Sequence, residues 1–202
     1  MALKHSYSVL APVYDMIVRG PLDGVRRKSL ARLKDIENKE ILVNGIGTGL
    51  DIDYLPPGAR YTGSDITPPM LKRAEKRAYK AGIDIRLKCA DSLHLPFANE
   101  SFDIIIMHLI LAVVPDPERA LLEAERVLKD GGSIYILDKF LKPGQLAPVR
   151  RGINTVLRHV ATRTDVIFEQ VLSHSSHLHV ISDEPALAGG WFRLIELAKK
   201  RS

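Results

Sequence analysis

Three glycines at alternate positions form the motif with the clearest chemical meaning in the chain. Gly45, Gly47 and Gly49 directly follow the apolar run 40–44, which is typical of a buried strand. Glycine lets the backbone turn tightly and approach a ligand, and a helix expected after the loop would offer free N–H groups at its N-terminus. The spacing therefore predicts a cradle for a nucleotide-like ligand. Leu50 stands where the dinucleotide fingerprint has its third glycine, which disfavours a nicotinamide or flavin cofactor.

Two carboxylates follow the next two predicted strands. Asp65 lies 20 residues beyond Gly45, where a carboxylate can accept hydrogen bonds from both hydroxyls of a ribose. The alternative is a surface aspartate that caps the next helix, because Thr67 and two prolines follow. Asp91, with Ser92 beside it, is expected to meet the amino group of an adenine. Because the carboxyl ends of parallel strands meet at one edge of a sheet, these features together predict a nucleoside site there.

Three further side chains are candidates for catalysis. His108 follows the fourth predicted strand and is the natural base near neutral pH. The alternative is a histidine satisfied by a backbone carbonyl. Asp138, after the fifth predicted strand, is placed either to orient an acceptor or to cap a helix. Tyr14 either closes over the site as part of an N-terminal lid or simply packs.

Short apolar runs alternate with amphipathic runs from residue 41 onward, which predicts right-handed βαβ units and a parallel sheet. The helix over 116–128 is expected to end at Gly131 and Gly132. Near the C-terminus, two strands joined by a short loop are predicted to pair antiparallel. Residues 1–40 are predicted to form a helical lid, helical over 7–34, and residues 41–202 a ligand-binding core. Predicted strands cover 40–44, 60–65, 83–89, 102–107, 133–138, 178–182 and 192–198, and a further helix covers 69–81.

Composition bounds the class of protein. The chain has 202 residues, of which 46% are hydrophobic and 26% charged, as in an ordinary soluble globular domain. The single cysteine, Cys89, excludes a disulfide framework and favours a cytoplasmic setting. No apolar run reaches the length that a spanning helix needs. His174, His177 and His179 lack a Cys, Asp or Glu at ligand spacing, so no metal site is expected.

The net charge of +5 is unevenly distributed along the chain. Residues 1–40 carry +3, residues 41–138 carry −3 and residues 139–202 carry +5. A solvated surface is the plain interpretation. The alternative is that the basic flanks, with amphipathic segments at 25–34 and 143–160, face an anionic membrane or an acidic substrate. Nucleic acid is disfavoured because the basic residues are not interleaved with aromatics, which make up 6% of the chain.

Five segments in order resemble the class I S-adenosylmethionine-dependent methyltransferases, namely 41–50, 61–65, 90–97, 102–107 and 128–136. The chain is similar in particular to the group of ubiquinone/menaquinone C-methyltransferases and bacterial phosphatidylethanolamine N-methyltransferases. In that group a Tyr-Asp pair precedes the core, as Tyr14-Asp15 does here. The resemblance implies S-adenosylmethionine as methyl donor and a Rossmann-like α/β fold. It also implies a mostly parallel seven-stranded sheet with an antiparallel last strand and helices on both faces.

The resemblance assigns roles to individual residues. It implies that the glycine loop lines the methionine part of the donor and that His108 lies near the sulfonium. The family usually has an acidic residue where this chain has Val43, so the amide oxygen of Asn44, or the loop carbonyls, would take the methionine amino group. The implied donor-binding residues are Asn44, Gly45, Gly47, Thr48, Gly49, Asp65 for the ribose, Ile66 for the adenine face, Asp91 and Ser92 for the adenine edge, and His108.

These features together predict a methyltransferase that acts on a phospholipid amine, a quinone precursor or another small hydrophobic acceptor. The expected location is the cytoplasm, with peripheral association at an anionic membrane surface as a further possibility. A non-catalytic S-adenosylmethionine-binding module is the alternative, and Val43 is its motivation. The sequence leaves the acceptor atom and the oligomeric state open.

Overall fold

The computed structural model describes residue 20, residues 22–141 and residues 166–201. Tyr14 and the basic segment 143–160 lie outside the described residues. The helices are α1 over 22–30, α2 (Pro68–Ala81), α3 (Pro117–Val127) and α4 (Phe168–Leu172), with short 3₁₀ helices at Ile52–Tyr54 and Ala188–Gly190. The strands are β1 (Glu40–Asn44), β2 (Arg60–Asp65), β3 (Ile85–Cys89), β4 (Phe102–His108), β5 (Leu128–Lys139), β6 (Leu178–Leu187) and β7 (Phe192–Lys199).

The seven strands form one sheet in the order β3-β2-β1-β4-β5-β7-β6. Strands β1 to β5 are parallel to one another, and β7 inserts antiparallel between β5 and β6. This confirms the predicted α/β fold, including the antiparallel C-terminal pair. The strand order reverses between β1 and β4, and ligands of open α/β sheets bind beyond the carboxyl ends of the strands at such a point.

Alternate residues of the central strands face two different cores. Leu42 of β1 and Met107 of β4 pack on the side that holds α3 and α4. Val43 and Ile106, one position along, pack on the opposite side with Ala74 of α2. Because successive side chains of a strand point to opposite faces, both faces must be covered, as the apolar sequence of these strands requires.

The prediction that Gly131 and Gly132 end α3 is wrong. The helix ends at Val127, and Leu128 already pairs with Phe102 as the first residue of β5. The register between β4 and β5 then shifts. Gly131 has φ +73°, and a Cβ on Gly132 would lie 2.7 Å from the carbonyl oxygen of Asp103. The two glycines therefore accommodate an irregularity in strand pairing, a common use of glycine in strands.

The helix expected directly after the glycine loop is replaced by the three-residue 3₁₀ helix Ile52–Tyr54. Pro56 and Pro57 follow, and a proline restricts the residue before it to extended backbone. The loop therefore lacks the long helix dipole that we expected behind it. At the N-terminal side, α1 ends at residue 30, short of the predicted 34. None of the described helices is long and apolar enough to cross a membrane.

Leu121 tests the core on the α3 side of the sheet, where its side chain is fully buried. Replacing Leu121 with Ala leaves a cavity and should lower the free energy of unfolding by about 2–5 kcal/mol, measured by urea denaturation. Tyr79 of α2 is 90% exposed, so Tyr79→Ala serves as the control and should change stability by less than about 0.5 kcal/mol. Equal effects of the two substitutions would contradict the placement of α3.

Candidate functional site at the carboxyl edge of the sheet

The glycine loop is anchored to β2 and open on one side. The N–H groups of Gly45 and Ile46 both donate to the Ser64 carbonyl, at 2.8 and 2.9 Å. Gly45 and Gly49 have positive φ, and a Cβ on either would lie 2.7 Å from a neighbouring isoleucine side chain. Gly47 also has positive φ, but a Cβ there would meet nothing within 4 Å. The outer glycines are therefore required by packing, whereas the Gly47 side of the loop has room for a ligand.

Asp65, the last residue of β2, ties this loop to the start of α2. Its carboxylate accepts the Gly47 N–H at 3.0 Å and the Thr67 N–H at 2.8 Å. Burial raises the pKa of Asp65, and these two hydrogen bonds offset part of the increase. The bond to Thr67, the N-cap residue of α2, also fits the alternative of an aspartate at a helix start. The same half-buried carboxylate therefore organises the loop and stands beside its open side.

Asn44 ends β1 in full burial between two hydroxyl groups. Its amide oxygen accepts hydrogen bonds from Ser92 at 2.7 Å and from Ser64 at 3.2 Å. Its amide nitrogen has no partner. The two hydrogen bonds engage the oxygen, which disfavours the prediction that it takes an amino group and leaves the loop carbonyls as the alternative. What Asn44 offers a ligand is an unpaired N–H donor, which suits a carboxylate.

Asp91 and Ser92 follow β3 at the same edge of the sheet. Asp91 accepts the N–H of Leu93 at 2.9 Å, which shapes the turn, and remains half-buried. Ser92 is buried against Asn44. Ile66 leaves 43% of its surface exposed directly after Asp65. The predicted loop, acids and apolar side chain therefore all stand at the ends of neighbouring strands, in the order the sequence implied.

His108 is the last residue of β4 and is buried, contrary to the expectation that it opens into the site. Its Nδ1 lies 2.8 Å from Oδ1 of Asp51, and its Nε2 lies 2.9 Å from Oγ of Ser29. Arg26 donates to the same Asp51 oxygen at 2.7 Å. The partners of this imidazole are side chains and not the backbone carbonyl that the alternative interpretation predicts. Sequence reasoning missed all three partners, although Arg26 and Ser29 stand three apart on α1 and Asp51 follows the glycines by two positions.

The charge on Asp51 is fixed by its neighbours. Burial alone would raise the pKa of this carboxyl group, but the charge of Arg26 and the hydrogen-bonded His108 outweigh it, and the net pKa lies well below the usual range. Asp51 is therefore an ionised carboxylate inside the protein, compensated by a buried guanidinium.

Asp138, near the end of β5, is also fully buried. Its carboxylate accepts the N–H groups of Ala112 at 3.1 Å and of Lys139 at 2.8 Å. Burial raises its pKa to about 6, against the partial opposition of these hydrogen bonds and the Lys139 charge. Asp138 thus holds the segment that follows β4 rather than capping a helix. Within residues 22–141 and 166–201, no three His, Cys, Asp or Glu side chains are grouped so as to hold a metal ion.

The titration of Asp138 predicts a pH dependence of stability. Burial holds the pKa of the native carboxyl group at about 6, whereas the unfolded one has the ordinary pKa of about 3.9, so this group stabilises the fold at low pH and loses that contribution as pH rises between the two values. The free energy of unfolding of Asp138→Asn, measured by urea denaturation, should rise by about 3 kcal/mol relative to that of wild type between pH 4 and 7.

The contribution of Asp103 to stability is expected to change with pH in the opposite direction. Burial raises the pKa of Asp103, but hydrogen bonds from Lys129 and the Glu40 N–H, with the charges of Lys129 and Lys39, bring the net value below normal. Its stabilising contribution is present above the unfolded pKa and is lost as pH falls. Asp103→Asn should therefore lose stability relative to wild type as pH rises. A shift of the same sign in both variants would contradict the burial of Asp138.

Comparison with known proteins agrees with this arrangement. Residues 42–136 match a family model described as a methyltransferase domain. A phosphatidylethanolamine N-methyltransferase of Cereibacter sphaeroides is 28% identical over 98% of each chain. A demethylmenaquinone methyltransferase of Thermus thermophilus is 34% identical over 65% of this chain and 63% of its own length.

A solved structure shares the fold at low sequence identity. The [4+2]-cyclase SpnF superimposes with a TM-score of 0.79 at 16% identity, covering 99% of this chain and 96% of its own. The family match begins in β1 and runs through the glycine loop to β5, so residues 42–136 form a methyltransferase domain.

Proposed function

We propose that the protein transfers the methyl group of S-adenosylmethionine to a small lipid-like acceptor. The observation that carries the donor side is an unpaired, fully buried amide nitrogen on Asn44, the residue that leads into the glycine loop. A buried donor without a partner costs free energy unless a ligand satisfies it. The carboxylate of the methionine moiety is the group of the donor that can do so.

The other end of the donor has matching partners. The Asp65 carboxylate keeps lone pairs beyond its bonds to Gly47 and Thr67 and would accept from the ribose hydroxyls. Ile66 offers apolar surface for the adenine ring, and Asp91 with Ser92 would meet its polar edge. With the Asn44 oxygen engaged, the methionine amino group would be left to the carbonyls of the loop residues Gly45 to Gly49, Thr48 among them.

The chemistry demands little of the protein beyond alignment. The donor supplies an electrophilic methyl group on a sulfonium, which an acceptor attacks in line. The protein holds the reactants together and excludes water, which accounts for much of the acceleration of such a reaction. A base is needed only if the acceptor loses a proton, and His108 is the group we propose for that task. Asp138 would act by holding the segment after β4, and Tyr14 by covering the site.

The nature of the acceptor is proposed from the relatives. One relative is named for phosphatidylethanolamine and another for demethylmenaquinone, and both names denote acceptors that dissolve in lipid. The match to the first runs along nearly the whole of both chains, which favours a phospholipid amine. The positive charge of residues 139–202 would suit an anionic bilayer surface around such an acceptor.

A donor-binding module without catalysis is the second candidate. It is favoured by Val43, which replaces the usual acidic residue, and by the engagement of the Asn44 oxygen, since both weaken the hold on the amino group. Release of labelled methyl groups to an acceptor separates an enzyme from such a module.

Donor binding is tested by calorimetry with S-adenosylmethionine. Wild type should bind, and Asp65→Ala should weaken binding by about 10- to 100-fold, because hydrogen bonds to a charged group contribute about 1.5–3 kcal/mol each. Asp84→Ala, an exposed aspartate before β3, serves as the control and should leave the affinity unchanged. Unchanged affinity in Asp65→Ala would remove this residue from the donor site.

The acceptor is tested with tritiated donor and vesicles. Label should enter the lipid of vesicles that contain phosphatidylethanolamine and anionic phosphatidylglycerol, and the initial rate should fall as salt is raised. The same lipid in neutral detergent micelles controls for direct salt effects on the enzyme. Labelling of demethylmenaquinone instead would replace the lipid amine as acceptor. Donor binding with no labelling of any acceptor would favour the module.

A further inference from the structure

The segment that contains α2 and β3 carries a charge opposite to that of the core around it. Residues 68–89 hold seven basic and two acidic residues, a charge of +5, although residues 41–138 together carry −3. Five of the basic side chains belong to α2, and Arg86 and Lys88 belong to β3, the edge strand of the sheet. The net charge of the core therefore conceals a strongly basic segment.

The lysines of α2 lie together on its outer side and form what we call the α2 stripe. Lys72, Lys76 and Lys80 are exposed and follow one another at intervals of four residues. Residues four apart are neighbours on a helix surface, so the stripe runs about 12 Å along the helix axis. Each lysine follows a buried residue of α2 by two positions, about half a turn; the buried residues are Met70, Ala74 and Ala78.

The α2 stripe is not neutralised by neighbouring carboxylates. Within residues 22–141 and 166–201, no salt bridge includes a lysine of this stripe. Glu75 is the one acidic residue of α2, so the outer side keeps a positive charge. Arg77 differs, because it pairs with Asp53 at 2.8 Å and fastens the helix to the segment after the glycine loop. The fold therefore uses Arg77 and leaves the lysines of the stripe to the solvent.

An aromatic side chain stands on the same side of the helix. Tyr79 follows Lys76 by three positions and Lys72 by seven, and 90% of its surface is exposed. A tyrosine beside lysines suits the headgroup level of a bilayer, where the amphipathic ring and the cations both find partners. Single strands of nucleic acid are bound by several aromatic rings that stack on successive bases, and α2 has one. The combination therefore favours a bilayer.

The α2 stripe begins beside the proposed donor site. The helix starts at Pro68, three residues after Asp65, and Lys72 follows about one turn later. In β3, the exposed Lys88 is in register with Ser64, the residue before Asp65. Positive charge therefore reaches the carboxyl edge of the sheet from both α2 and β3.

We propose that the α2 stripe, together with Tyr79, docks the protein on the anionic headgroups of a phospholipid bilayer. The ammonium groups are attracted to anionic lipids, and the ring of Tyr79 enters the interface. The inference rests on the proposed function for its purpose, because docking at this edge would hold the donor site close to a lipid-like acceptor.

Docking is tested by flotation of the full chain with vesicles of phosphatidylcholine that contain phosphatidylglycerol. Wild type should float with these vesicles but not with pure phosphatidylcholine, and salt should release it. Replacing the three lysines of the stripe with glutamine should lower the partition coefficient by about 100-fold, because each basic residue near an anionic surface contributes about fivefold. Glutamine is a good helix former, so the fold should be retained.

The matched control removes the same charge elsewhere on the surface. Lys34, Lys200 and Arg201 are exposed and lie outside α2 and β3, so replacing them with glutamine lowers the net charge by the same amount. This variant should keep its partition coefficient within about fivefold of wild type. Equal losses in the two triple variants would overturn the α2 stripe as the docking face, since net charge alone would then explain the binding.

Tyr79→Ala tests the part of the docking that does not depend on charge. It should weaken vesicle binding by at least about threefold at every salt concentration at which wild type still binds, because apolar burial is not screened by salt. Unchanged binding would overturn the entry of Tyr79 into the interface.

Flotation needs neither donor nor turnover, so this inference and the proposed function can fail separately. A chain that methylates lipid in neutral micelles but does not float would overturn docking and leave the proposed function. A chain that floats through the α2 stripe but neither binds the donor nor transfers methyl groups would remove the proposed function and leave docking. Tighter binding of wild type to an oligonucleotide than to the vesicles, lost in the lysine variant, would overturn the bilayer as the partner.

Discussion

The backbone pairing of β1 in parallel with both β2 and β4 is the constraint on which the rest of the site depends. Ile41 of β1 is in register with Tyr61 on one side and Ile104 on the other. With three strands held in one direction, their carboxyl ends must meet at one edge. The glycine loop, Asp65 and His108 leave the sheet there. A slip of one residue in β1 would exchange its two buried faces and turn Asn44 away from Ser64 and Ser92.

That edge holds an unusual number of buried polar groups, and each has a separate reason to be there. Asp51 is compensated by Arg26, because a buried carboxylate without a partner would cost several kcal/mol. Asp138 accepts two backbone N–H groups, and its burial raises its pKa, which favours the neutral form. The Asn44 amide nitrogen, however, is a buried donor without a partner. In a native fold such a group calls for an explanation, and a ligand that completes its hydrogen bonds is one.

The strands could be predicted from sequence because their residues either form a nearly continuous apolar run, as 102–107 does, or alternate between apolar and charged, as 83–89 does. The local errors arose where a glycine or proline had two possible meanings. Gly131 and Gly132 predict a helix end, yet Leu128 is already paired with Phe102 in β5 and fully buried there. The glycine pattern predicts a helix after the loop, but Pro56 and Pro57 restrict the backbone there and prevent a long helix. Both errors concern which of two local signals dominates.

The buried chain through His108 could not have been predicted in the same way. Arg26 and Ser29 stand 25 and 79 residues from Asp51 and His108, their respective partners, and no periodicity links positions at such distances. The sequence identifies His108 by its place at the end of a predicted strand, but it does not indicate which side chains bury the imidazole. Side-chain contacts between distant segments are decided by tertiary packing, which is where the pattern of a single sequence ceases to be informative.

The same contacts change the meaning of the positive charge in residues 1–40. Within the predicted basic segment 25–34, Arg26 is paired inside the protein, and both Lys28 and Arg32 lie within 3.0 Å of Glu184 on β6. Arg26 is therefore withdrawn from the surface, and Arg32 is partly so, whereas Arg27, Lys28 and Lys34 stay exposed. The electrostatic argument for an anionic surface around the acceptor is accordingly weaker for this segment than its net charge suggests. In the N-terminal segment, positive charge instead joins α1 and the residues after it to Asp51 and to Glu184 of β6, while Ser29 of α1 contacts His108 of β4.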